Sequence, residues 1–178
     1  MALLRQHVKN ENLVKHMFAV EAVMRALAAK FNGHPDQWGL AGLLHDIDWE
    51  ETENDFTQHS LKSAQYLTDA GVDPAVVQAI KAHNHTHGFP LSTLMEKALF
   101  SAEELTGLIA ACALVQPSKK LAEVTVESIL KKFKQPSFAK GVDREIILQS
   151  ETLLGMTLKE LIELELNAMR GIADTIGL

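Results

Sequence analysis

Six side chains in this sequence are of the kinds that hold a divalent cation: His16, the adjacent pair His45 and Asp46, then His59, His83 and Glu103. Neutral imidazole and carboxylate are the usual nitrogen and oxygen ligands of transition metals. About 0.4 His-Asp neighbours are expected by chance at this composition, so the dipeptide alone decides nothing. The surroundings decide it. An isolated inward histidine is more often a hydrogen-bonded core residue, and an inward carboxylate without a partner is costly. Several such groups beside apolar stripes are explained together by a cation in the protein interior.

The elements that must position them read as helices. Leu13, Met17, Val20, Met24 and Leu27 recur at steps of three and four and stop near Asn32-Gly33, which puts His16 beside an inward stripe. A second helix is predicted from about Trp38 to Ile47, with His45-Asp46 at its carboxyl end and a polar loop from Asp48 to Asp55 after it. Thr57 is expected to cap a third helix carrying His59, Leu61, Ala64 and Leu67. Asp73-Pro74 opens a fourth, which leads to His83. Thr93 and Glu96 form a capping box for a long fifth helix, Leu94 to Val115, that contains Glu103. Beyond it the spacing predicts helices near Val126 to Lys134, from Asp143 to Leu154, and from the Thr157–Glu160 capping box onward. The stretch Glu123 to Glu127 is short, β-branched and ambiguous between strand and helix. An all-α, single-domain helical bundle over residues 1–178 follows, with a motif-bearing core at about 10–115 and a helical extension at about 118–178.

Composition narrows the function classes. A chain of 178 residues with 47% hydrophobic and 22% charged residues has the makeup of one globular domain. Net charge is −6, which argues against nucleic acid as a partner. Lys119, Lys120, Lys131, Lys132, Lys134 and Lys140 bunch locally and read as a solvated face. The single Cys112 excludes an internal disulfide, and no apolar run is long enough for a membrane span. With no signal-peptide core at the amino terminus, a cytoplasmic protein without membrane contact is expected.

In its motifs the sequence resembles the HD-domain superfamily, the metal-dependent phosphohydrolases named for a His-Asp pair, whose pattern is a His, then His-Asp, then a distant Asp. His16 within Val14-Lys15-His16-Met17 matches the first position, and His45-Asp46 within Leu43-Leu44-His45-Asp46-Ile47 matches the second and third. The stretch Leu99 to Thr106 resembles the segment that carries the final Asp, but Glu103 stands there, one methylene longer. The resemblance implies metal ligands His16, His45, Asp46 and Glu103, and a fold like that of the HD-domain phosphodiesterases. Gly-Lys after the pair, found in the cyclic-dinucleotide branch, is absent: Ile47-Asp48-Trp49 follows instead.

The implied chemistry is hydrolysis of a phosphoester, a nucleotide or other small phosphomonoester, by water activated at one divalent transition metal ion (Mn, Fe, Co, Ni or Zn). Asp46, with two oxygens, is the candidate either to bridge a second ion or to orient the water, and Asp48, Glu50 and Glu51 are candidate acids for the leaving oxygen. His59 and His83 match positions that hold a second metal in some relatives. Asn84, where a paired histidine is often found, favours a single ion, which assigns His59 and His83 to substrate. Lys62 and Arg144 are the candidate phosphate partners. The alternative reading is a regulatory or interaction domain that binds metal without turnover, which the Glu at 103 favours.

Overall fold

The computed structural model describes residues 2–178, and its described residues form helices, turns and loops with no strand. Helices α1 (Ala2–His7), α2 (Glu11–Lys30), α3 (Pro35–Leu44) and the one-turn α4 (Trp49–Thr52) come first. They are followed by α5 (Leu61–Asp69), α6 (Pro74–His83) and the long α7 (Leu94–Leu114). The chain closes with α8 (Val126–Phe133), α9 (Arg144–Leu148), α10 (Ser150–Leu154), α11 (Leu158–Arg170) and α12 (Ala173–Ile176). The predicted all-α architecture is what forms. No helix among the described residues is long and apolar enough to cross a membrane.

Most helix starts follow local chemistry. Asn10 accepts from the amides of Asn12 and Leu13 at 2.9 and 3.4 Å and so opens α2. Asp73 accepts from Ala75 N at 2.8 Å with Pro74 at the first helical position of α6. Both capping boxes, Thr93–Glu96 and Thr157–Glu160, are made.

Four expectations need correction. The segment Asp48 to Asp55 is not all loop, since it contains α4. Thr57 does not cap α5, which begins only at Leu61, so His59 lies in the preceding turn, next to Ser60 with φ of 69°. The cap of α5 comes from a distance: the Asp48 carboxylate accepts from Ser63 N at 3.0 Å, in the helix's first turn. The segment Asp143 to Leu154 is two short helices that part at Gln149, and the ambiguous Glu123–Glu127 stretch leads into α8 through a Thr125–Ser128 box.

α7 runs through the middle of the bundle, with α2, α6, α9, α10 and α11 packed around it. The core is continuous from Leu4 to Ile176, so the C-terminal helices share it with the motif-bearing part. Met17, Leu27, Leu105 and Leu108 are among its fully buried side chains. Truncating such a residue to Ala costs about 2–5 kcal/mol. Helices α2 and α3 approach closely: a Cβ on Gly42 would lie 2.7 Å from the Val20 carbonyl oxygen. Only glycine permits that contact, and it brings the end of α3 alongside the middle of α2.

Candidate metal centre

That close approach sets His45, just past the end of α3, against His16 on α2. Their Nε2 atoms stand 3.2 Å apart. The next residue, Asp46, presents its two oxygens in opposite directions. Oδ2 lies 3.8 Å from His16 Nε2 and 3.4 Å from His45 Nε2. Oδ1 lies 3.5 Å from His59 Nε2 and 3.7 Å from His83 Nε2. One carboxylate thus stands between two imidazole pairs. Two sets of potential ligand atoms result, His16/His45/Asp46 and Asp46/His59/His83, each set with its atoms within 4.8 Å of one another.

The hydrogen bonds on the far side of each ring fix which nitrogen carries the lone pair. His45 Nδ1 donates to Gly42 O at 2.8 Å and His83 Nδ1 to Ile80 O at 2.5 Å. His59 Nδ1 donates to Asp48 Oδ1 at 2.9 Å. His16 Nδ1 lies 3.2 Å from Thr106 Oγ1, whose own proton goes to Glu103 O at 2.7 Å, so the ring is again the donor. With Nδ1 the donating nitrogen of each ring, Nε2 is the atom each turns toward Asp46, and an outer partner holds each ring as metal-ligating histidines require.

Burial opposes charge throughout the cluster, and against it the adjacent Asp46 and Glu103 raise His45. Burial pushes the Glu103 carboxyl up to about 8, with Glu104 and Asp46 adding to the push and His45 opposing it. Burial works against the Asp46 charge too, yet the adjacent His45 and the other imidazoles hold it well below the ordinary carboxylate range. Burial, reinforced by His45, lowers His16 to about 4 and keeps it neutral. His83 Nε2 is buried and has no hydrogen-bond partner at all. An orphaned lone pair facing a carboxylate oxygen is costly, and a divalent cation between them removes the cost. The donor set fits such an ion.

The remaining sequence-predicted site residues fall into two groups. Glu103, on α7, is brought in: Oε2 lies 3.9 Å from His16 Nε2 and 3.8 Å from His45 Nε2. Five others make contacts different from those expected of them. Asp48 is 1% exposed and spends both oxygens on His59 and Ser63, so it positions a histidine and caps a helix rather than supplying an acid. Glu50 turns away to accept from the amides of Lys9 and Asn10 at 2.8 and 2.5 Å, while Glu51 pairs with Lys62 and Tyr66. Lys62 is thereby engaged on the surface. The Arg144 guanidinium donates to the carbonyls of Phe133, Gln135, Phe138 and Val142, which makes it a clamp on the loop between α8 and α9. Neither cation lines the pocket.

That pocket, about 260 Å³, opens onto the cluster between Trp49, Phe56 and His85 on one side and Glu104, Gly107 and Val142 on the other. None of its lining residues is Lys or Arg. Asn84 is a clip: its amide donates to Phe56 O at 3.0 Å and His59 O at 3.1 Å, holding the turn that carries His59.

Sequence reasoning missed two acidic residues. Glu104 accepts from Asp143 N at 3.1 Å, and its carboxyl is raised to about 7 by burial. Glu165 is completely buried on α11 with neither oxygen hydrogen-bonded, and burial holds its carboxyl well above the ordinary range. Its signal was present, since Glu165 falls on the apolar stripe of Leu161, Ile162, Leu166 and Met169.

Residues 13–98 match the family model of the HD domain. The match takes in His16, His45, Asp46, His59 and His83 and ends before Glu103. No curated protein and no solved structure matches the chain.

Proposed function

We propose, from the premise that the chain carries an HD domain over residues 13–98, that it is a metal-dependent hydrolase of a phosphoester, a nucleotide or other small phosphomonoester, with a centre for two divalent transition metal ions astride Asp46. The observation that carries this reading is the division of Asp46: Oδ2 faces His16 and His45, and Oδ1 faces His59 and His83. His16, His45, Asp46 and Glu103 would hold one ion, and Asp46, His59 and His83 the other. The reading moves His59 and His83 from substrate binding to metal binding. It also replaces the single ion that Asn84 favoured, because Asn84 is committed to the backbone while His83 has a free buried nitrogen.

What bound divalent ions supply here is Lewis acidity, which makes water a better nucleophile near neutral pH and offsets charge building on a phosphoryl group. The chain's own residues do the rest. Four Nδ1–H groups tied to fixed acceptors keep four Nε2 lone pairs aimed inward with little reorganisation. Asp48 strengthens the donor character of His59 by taking its proton side. Trp49 and Phe56, packed edge to face at 5.9 Å, line the pocket. With Asp46, Glu103 and Glu104 in the lining and neither Lys nor Arg, the pocket offers a phosphate no fixed positive charge of its own, so anion binding must depend on metal.

Metal analysis of the purified protein, paired with hydrolysis of para-nitrophenyl phosphate before and after chelation, tests the reading. The expected result is about two equivalents of metal per chain and activity lost with the metal. Metal without turnover of any phosphoester would leave the regulatory domain as the reading; no metal at all would overturn both.

A further inference from the structure

The metal pocket is small. Its 260 Å³ equals about nine waters at about 30 Å³ each, room for a phosphoryl group and metal-bound solvent but below the about 300–1,000 Å³ of ordinary ligand sites. A second cleft of about 520 Å³ adjoins it, sharing His16 and Gly107 as common wall. It lies between α2, α7 and the C-terminal helices, and its lining is largely apolar: Ala19, Ala110, Leu114, Met169 and Ile176, with Lys15 at the surface. Leu114 is 55% exposed there, an apolar side chain left in water at the end of an otherwise well-buried helix. Gly107, common to both linings, puts no side chain between the two spaces, and a Cβ there would meet only Val142, at 3.6 Å.

We propose that this second cleft receives the apolar part of the substrate's alcohol, so that the preferred substrates are phosphomonoesters of uncharged, apolar alcohols. The inference rests on the hydrolase reading above. Its occupant follows from continuity: a phosphoryl group at Asp46 has His16 beside it, and what lies on the other side of His16 is this cleft. In the reaction the oxygen of water bonds to phosphorus, the ester P–O bond breaks, and the departing oxygen takes a proton, giving inorganic phosphate and the free alcohol. The alcohol leaves through the cleft.

Calorimetric titration with methyl-, butyl- and hexylphosphonate, which are not hydrolysed, tests this on the full chain supplied with Mn(II). Affinity is expected to rise about three- to fourfold per added methylene until the chain fills the cleft. Ala110→Trp, which places an indole in the cleft away from the metal residues, should bring hexylphosphonate to within about threefold of methylphosphonate while leaving methylphosphonate unchanged. Leu114→Asp, at an exposed position where folding is not at risk, should weaken hexylphosphonate in the same direction. Equal affinity for all three phosphonates, no binding of hexylphosphonate, or an Ala110→Trp protein that keeps the gradient would each overturn the proposal. The kcat/KM ratio of butyl to methyl phosphate separates the two readings. A length-dependent binding series without turnover keeps the cleft and removes the hydrolase, whereas turnover indifferent to chain length keeps the hydrolase and removes the cleft.

Discussion

The two flanks of Asp46 are built differently. On the His16/His45 side one ring stands on α2 and the other just past the end of α3, the two helices packed through Gly42, and His16 keeps 26% of its side chain exposed. On the His59/His83 side both rings are almost wholly buried, and one of them is fixed by a buried carboxylate, Asp48, that also caps α5. One flank is an open seam between helices, and the other is closed around a turn held by charge. The difference teaches that donors need unequal support: His45 and His83 are held by carbonyls of the helices they end, whereas His59 in its turn needs side-chain partners such as Asp48 and Asn84.

Removing what the flanks share has the largest expected effect. Asp46→Ala should abolish binding on both sides and lower turnover by more than the about 10- to 100-fold typical of losing an outer partner, read by metal analysis and kcat/KM. Retention of one tightly held equivalent would show the flanks to be independent of Asp46.

Next come the single-flank changes. His83→Ala and His16→Ala should each reduce metal from about two equivalents to about one. The survivor should differ: the ion left in His16→Ala, in the closed flank, should resist EDTA longer than the one left in His83→Ala. Identical chelation rates would erase the contrast between open seam and closed turn.

Asp48→Asn sharpens the comparison, since asparagine can still accept from Ser63 N but brings no charge to His59. Affinity for one equivalent is expected to fall about 10- to 100-fold with the other untouched. Asp48→Ala should lose the cap of α5 as well, a further cost of about 1 kcal/mol in denaturant unfolding. If both equivalents weakened together, Asp48 would not be specific to one flank.

A buried carboxylate that lacks imidazole company, Glu165, gives the contrast in its simplest form. Its pKa is raised in the folded protein above the ordinary 4.5, so the unfolded state gains by ionising as pH rises past that value while the folded state stays protonated. Stability attributable to this residue therefore declines as pH rises from about the ordinary carboxylate value. Glu165→Leu should raise Tm at pH 8 more than at pH 4.5; a shift that does not grow with pH would place a cation or a donor beside Glu165. The smallest effect is expected for Lys62→Ala, whose exposed partner is Glu51: stability within about 0.5 kcal/mol and unchanged KM for a phosphoester. A tenfold rise in KM would return Lys62 to the phosphate.

Helix class, most helix starts and the ligand types were decided by the sequence alone, because capping and 3.6-residue periodicity are local. Asn32-Gly33, Asp73-Pro74 and the two Thr–Glu boxes each act within a few residues. The candidate metal residues were legible for the same reason, as polar groups interrupting apolar stripes. Which residues surround the cluster was not legible. Asp48 and Glu50 sit two apart in the chain, and only packing sends one to His59 and the other to the amides of Lys9 and Asn10. Arg144 has the chemistry of a phosphate ligand until the loop after α8 surrounds it with carbonyls. The split of Asp46 between two imidazole pairs joins residues up to 37 positions away, and a through-space arrangement of that range leaves no period in a sequence. Tertiary structure alone decides it, because burial and the approach of α2 to α3 at Gly42 fix where each lone pair points.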